Sequence, residues 1–219
     1  MVSFLHQPFF KLKSICMKRF HSFKNFSALF LITASISFTA CNNESTSTDT
    51  DDDSINMTAE DTTSNMQRAE AVLNGTKTDT TLSGTVRFES ENNGQVKMML
   101  DLTVAKKANS TVAVHIHEHG DCGDMGNNAH GHWNPTNENH GKWGEGNFHS
   151  GDIGNVTLDA SGKGTLELTT DRWTIGGGDS TKNILNRAII VHSGVDDFKT
   201  QPTGNAGSRI GCGLINQSN

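Results

Sequence analysis

The chain has 219 residues, of which 33% are apolar and 6% aromatic, with no tyrosine, 22 glycines and 3 prolines. Its formal charge of −6 is uneven: residues 1–41 hold five bases (Lys11, Lys13, Lys18, Arg19 and Lys24) and no acid, so the rest is acidic and has no basic patch to serve nucleic acid. The length allows one domain of average size plus extra segments, and many glycines between short apolar runs favour an all-β domain over a helical one.

The first element is an address. Residues 17–41 (MKRFHSFKNFSALFLITASISFTAC) place Lys18, Arg19 and Lys24 before an apolar run at 26–38, then small residues and Cys41. That run is shorter than the roughly 20 residues a membrane-spanning helix needs, so it reads as a signal peptide. The ending Phe38-Thr39-Ala40-Cys41 resembles a bacterial lipobox, in which the cysteine becomes the lipidated first residue. The other reading is an ordinary secretory signal with a coincidental cysteine. Met17 makes a tidier start than Met1. Residues 42–68 are rich in Ser, Thr, Asp and Asn and cannot bury enough apolar surface to offset the entropy of ordering. They predict a flexible linker, extended by repulsion among Asp51, Asp52 and Asp53. The expected arrangement is a leader at 1–41, the linker at 42–68 and a domain at 69–219.

Within that domain, residues 71–73 begin a short strand. Residues 82–89 alternate, with Val86 and Phe88 on one face and Thr85 and Arg87 on the other. Asn92-Asn93-Gly94 is a hairpin turn signal. Strands follow at 96–104 and 111–117. Segments 155–159 and 165–169 flank Ala160-Ser161-Gly162-Lys163-Gly164 and read as a second hairpin. A buried strand at 188–192 and a closing strand at 209–215 complete the set. About eight antiparallel strands predict a sandwich or flattened barrel. The stretches 118–152 and 193–208 are too long and polar for simple turns, which marks them as functional loops.

Eight of the ten histidines fall between 115 and 192, a concentration that points to metal. His115 and His117 are two apart on a strand, so both project from one face. His192 ends another strand and can reach the same point. His132, His140, His149 and Asp152 follow one another along the first long loop. Three imidazoles and a carboxylate suit tetrahedral zinc, whereas an all-imidazole set suits copper, which cycles between oxidation states as zinc cannot. Spacing alone does not assign the metals.

These residues carry a family resemblance. His115-Ile116-His117-Glu118, Gly120-Asp121-Cys122, Gly131-His132-Trp133-Asn134-Pro135, His140-Gly141, His149-Ser150-Gly151-Asp152-Ile153-Gly154-Asn155, Val191-His192 and Gly204-Asn205-Ala206-Gly207-Ser208-Arg209 with Cys212 resemble the copper/zinc superoxide dismutases, over about residues 70–216. The resemblance implies an eight-stranded Greek-key barrel, with one copper and one zinc per chain. It implies that His115, His117, His132 and His192 bind copper, that His132, His140, His149 and Asp152 bind zinc, and that His132 bridges the two. It makes Asp196 the carboxylate linking a copper histidine to a zinc histidine. Arg209 becomes the cation that positions superoxide, and Cys122–Cys212 a disulfide, as an isolated pair in an exported protein also suggests. The implied reaction oxidises one superoxide to dioxygen and reduces a second, with two protons, to hydrogen peroxide.

Trp133 stands where the family commonly has Phe. The segment 196–209 is short, in the manner of bacterial members, and offers Lys199 as its other cation, with Lys142 nearby in the first loop. His119 and His130 are not family ligands. They are expected to face solvent, with an auxiliary copper-capture site as the sharper alternative. Superoxide is the expected substrate, the membrane the expected partner through Cys41, and a homodimer a possible assembly. The expected location is the periplasm or cell surface of a bacterium. The competing functions are copper buffering or delivery, disfavoured by the complete ligand set and the lack of a CxxC motif, and a non-catalytic adhesion sandwich, which has no use for Asp196 or Arg209.

Overall fold

A computed structural model describes residues 66–78 and 80–219. The predicted leader, its lipidated Cys41 and the linker as far as residue 65 lie outside the described residues.

The described chain forms β1 (Arg68–Gly75), β2 (Leu82–Ser90), β3 (Val96–Val104), β4 (Thr111–His117), β5 (Gly154–Thr157), β6 (Lys163–Thr170), β7 (Ala188–His192), β8 (Arg209–Leu214) and β9 (Asn216–Ser218). Every pairing is antiparallel. The strand order is β5-β4-β7-β8-β1-β2-β3-β6, with β9 lying off that path against β1. Eight strands thus make a nearly closed Greek-key barrel, as expected. The ninth arises because the predicted closing strand breaks at Ile215. There the chain leaves β7 to bond residues 186 and 187, then returns to cover Arg68–Glu70. Arg68 is already in β1, one residue inside the expected linker.

Alternation built the faces. Val86 and Phe88 are fully buried, Arg87 between them is exposed, and Met98, Leu100 and Leu102 continue the same inner layer from β3. Phe88 meets Trp173 edge-on, with centroids 5.9 Å apart. Each fully buried aromatic of this kind stabilises by about 2 kcal/mol or more through area removed from water. The turn at 91–95 is closed by Glu91 N–H on the Gln95 carbonyl at 2.8 Å. The second predicted hairpin needs correction. Asp159 organises the turn by accepting from the amides of Ser161 and Lys163. The strands on either side nevertheless take different partners, β5 pairing with β4 and β6 with β3. Sequence marks a reversal of direction, but it does not say whether the two arms stay together.

The two long loops leave from this frame. Cys122 in the first is disulfide-bonded to Cys212 in β8 across a separation of 90 residues. A crosslink closing a loop of that size stabilises by roughly 4 to 5 kcal/mol in the chain-entropy description, less any strain. Replacing both cysteines by serine is expected to lower the unfolding free energy by several kcal/mol, read as a lower urea midpoint. An unchanged midpoint would mean that the loop is held by its other contacts alone.

Candidate metal centre

Residues 114 and 116 of β4 point into the core, so His115 and His117 point out of the barrel wall, yet both are buried because the first loop covers them. The loop reaches them along β4's own edge. Where β5 stops pairing, Gly151 accepts the amide of Ile116, and the Ile116 carbonyl accepts the amide of Trp133. His132 thereby sits in a β-bridge with His117. A side chain at Gly151 would collide with the Ile116 carbonyl, so glycine is what lets the loop lie this close.

Two groups of ligating atoms result, each with its members within 4.8 Å of one another: His115, His117, His132 and His192, and His132, His140, His149 and Asp152. All seven residues are buried. Every sequence-predicted ligand is therefore brought together in the set expected for it. His132 is common to both, and its ring lies 3.9 Å from that of His115.

The hydrogen bonds decide which nitrogen of each ring faces inward. His117 Nδ1 bonds the His130 carbonyl at 2.8 Å, and His192 Nδ1 bonds the Gly207 carbonyl at 3.2 Å. Since carbonyls only accept, both rings carry their proton on Nδ1 and present Nε2. Those two Nε2 atoms lie 3.3 Å apart. His149 Nε2 bonds the Glu138 carbonyl at 3.1 Å, which leaves Nδ1 inward. Asp196 joins the groups, one oxygen 2.8 Å from His115 Nε2 and the other 2.9 Å from His140 Nε2. It is itself held by Asn155, whose side chain bonds both the amide and the carbonyl of Asp196. A Cβ at Gly204 would strike the Asp196 carboxylate and His140, so glycine at its φ of +65° is required there too. His132 alone spends neither nitrogen on an outer partner: Nδ1 faces Asp152 at 2.8 Å, and Nε2 faces the other group.

A metal fits this arrangement. His115 Nδ1 and His132 Nε2 are buried with no hydrogen-bond partner, and His140 Nδ1 and His149 Nδ1 are buried facing only the Asp152 carboxylate, at 3.0 and 3.2 Å. An unpaired buried polar atom costs about 1 to 3 kcal/mol, so nitrogens left unpaired or crowded onto one carboxylate are tolerable where something else ligates them. The outer carbonyls and Asp196 are the supports that metal-binding histidines require.

Electrostatics follow from burial. Desolvation lowers His115, sends His117 well below its ordinary value, and brings His132 to about 4 and His192 to about 3. Burial works against the charged form of His140 as well, but hydrogen bonds to Asp152 and Asp196 outweigh it and raise His140 to about 9. Burial also opposes ionisation of both aspartates, yet their histidine partners hold Asp152 and Asp196 well below the usual carboxylate range.

Arg209 lies at the lip. Its guanidinium donates to the carbonyls of Gly126, Asn127 and His130, which fixes it without neutralising it. Thr76 donates to its backbone carbonyl at 2.9 Å. Lys77 lines the same shallow depression of about 240 Å³. Of the two extra cations expected from sequence, Lys142 is paired with Glu145. Lys77 is the cation that sequence reasoning missed, because only the fold brings it to Arg209. Trp133 is covered by Arg187, whose guanidinium stacks 4.0 Å above the ring. His119 and His130 face solvent, as expected, and their rings meet edge-on at 4.4 Å.

A Greek-key barrel carrying two histidine-rich clusters that share one imidazole is the architecture of a dinuclear metalloenzyme. The family model described as copper/zinc superoxide dismutase (SODC) matches residues 82–215, and the chain belongs to that family. It is 38% identical over 143 residues to the superoxide dismutase (Cu-Zn) of Kluyveromyces lactis, covering 62% of this chain and 90% of that one. Over 138 residues it is 36% identical to the superoxide dismutase (Cu-Zn) of Paramecium bursaria Chlorella virus 1, covering 60% and 71%. Among solved structures, that of the clock protein EA4 matches with a TM-score of 0.60 at 32% identity, covering 68% of this chain and 93% of that one. The protein is a superoxide dismutase, an oxidoreductase that uses copper and zinc.

In the metal-free protein, His132 and His192 prefer the neutral form when folded but take a proton near pH 6.5 when unfolded, so acid favours unfolding from pH 6.5 down towards 3. His140 acts oppositely: the stability it contributes is fully present below pH 6.5 and is lost as pH rises through about 9. Chelated protein is therefore expected to show a thermal midpoint that falls steeply below pH 6.5, while the metal-loaded protein holds its midpoint until the metal leaves. A flat midpoint between pH 4 and 7 after chelation would contradict the burial argument.

Proposed function

We propose that His115, His117, His132 and His192 hold the copper, that His132, His140, His149 and Asp152 hold the zinc, and that Arg209 positions superoxide. The observation that carries this is His132, whose two nitrogens each face one cluster and no outer partner. The all-imidazole set suits the redox metal, and the set containing the hard oxygen of Asp152 suits zinc. When bound, copper supplies the one-electron cycle that takes one superoxide to dioxygen and a second to peroxide, while zinc supplies a redox-inert charge.

The chain's own residues do the rest. Arg209 offers a permanently charged planar fork to a small anion, and Lys77 adds to the field at the mouth. Electrostatic steering of this kind matters most when the substrate carries charge and the chain as a whole is acidic, for which this enzyme class is itself the standard example. His132 Nε2 has no hydrogen-bond partner in the protein, so whenever it is not ligating copper it is placed to hold a proton and pass it to peroxide. Asp196 keeps His115 and His140 in the tautomers that present Nδ1 inward.

Changing Arg209 to Glu is expected to lower dismutation at least about tenfold by reversing the local field, with copper content unchanged. Loss of copper along with activity would reassign Arg209 to metal retention.

We further infer a lipid-anchored protein of the periplasm or cell surface. The apolar run 26–38, Cys41 and the polar stretch after it support this, as does a disulfide that suits oxidising surroundings. Labelling with a radioactive fatty acid should mark the full chain, and Cys41→Ala should abolish the label and release activity into the soluble fraction. Label persisting on the variant would remove the anchor from Cys41. For assembly we infer a homodimer through Val72 and Leu214, exposed apolar side chains that line shared depressions. A concentration-independent monomer in sedimentation of the Cys41→Ala protein would overturn it.

A further inference from the structure

Glu118, His119 and His130 place a carboxylate oxygen and two imidazole nitrogens within 4.8 Å of one another, outside both clusters described above. His119 and His130 are exposed and Glu118 lies at the surface beside them, so the group opens to solvent. Among the described residues, no hydrogen bond or ion pair within 4.0 Å ties down the three side chains, and the one charge that acts on Glu118 is that of Arg187. The rings already lie edge-on at 4.4 Å.

The backbone beneath them is fixed. The His117–His132 bridge continues outward, with the Glu118 amide on the Gly131 carbonyl at 3.1 Å and the His119 amide on the Ala129 carbonyl at 3.2 Å. Arg187 donates to the Glu118 carbonyl at 3.1 Å. His130 is bonded at both ends: its amide reaches the Asn127 carbonyl, and its own carbonyl accepts from His117 Nδ1 and from Arg209. Two histidines on segments tied together in this way lose little backbone freedom when an ion binds, which is the condition for a tight site.

We propose that Glu118, His119 and His130 form a third metal site, at the surface, that takes Cu(II). Two imidazoles and one carboxylate leave positions open for water, an arrangement that Cu(II) accepts readily, and any nitrogen–oxygen site of this type favours copper over zinc in the divalent series. The carbonyl of His130 holds a histidine of the copper cluster, so this site sits on the rim of the same pocket. Its use as a place where copper is captured before entering rests on the ligand assignment above, but its existence does not.

The test uses the full chain loaded with copper and zinc. A further equivalent of Cu(II) is added, loosely bound metal is removed by gel filtration, and copper is counted and examined by electron paramagnetic resonance. Retention of the added equivalent, with a second tetragonal signal showing nitrogen coupling, is expected. His119→Gln should lose that equivalent and that signal while keeping its original copper, zinc and dismutase activity. The proposal is overturned if the parent protein retains no added copper, if His119→Gln retains it equally, or if added zinc is held while added copper is not. The copper and zinc counted before the addition test the ligand assignment separately, since His119 belongs to neither principal set.

Discussion

The site is arranged around one imidazole, His132, that spends neither nitrogen on a partner outside the two clusters. Five of the six clustered histidines turn one nitrogen to a carbonyl or to Asp196 and the other inward. His132 turns both inward, which forces the two clusters to share it and sets them side by side. Burying so many polar groups is unfavourable unless each finds a partner. The ring of outer acceptors and the pair of aspartates offset most of that cost, and the remaining unpaired nitrogens define where the metals belong.

The barrel makes such an arrangement durable. Strands β4, β7 and β8 pair side by side, with a register shift between Val191 and His192, so His115, His117, His192 and Arg209 ride on one wall. The loop that supplies the other ligands is fastened to the wall at three kinds of point: the edge of β4, the disulfide to β8, and Trp173, whose ring nitrogen donates to the Ser150 carbonyl at 2.9 Å. No single fastening positions the site, but each fixes a different stretch of loop.

Much of this was legible in the residues. The bounds of β3, β4 and β7 were legible to the residue: β3 alternates because its outer face is less buried, β4 alternates in residue type although loops bury both its faces, and β7 reads as a short apolar run buried on both. The ligands were legible because His and Asp at those spacings match known motifs. What sequence could not supply was the partner of each strand arm around Asp159, the break at Ile215, and the approach of Lys77 to Arg209. All three depend on contacts between distant segments, which leave no periodic trace. The pairing of His119 with His130 was hidden for the same reason: a loop's spacing says nothing until the edge of a strand straightens it.

The supports of the histidines at 117, 149 and 192 are backbone carbonyls, at residues 130, 138 and 207. A carbonyl is present whatever side chain the residue bears. These supports therefore tolerate exchange of one amino acid for another far better than they tolerate a residue added or removed, since an insertion moves the acceptor while a substitution leaves it in place. Position 130 keeps that acceptor with a solvent-facing histidine in place, although its φ of +61° restricts which residues it accepts.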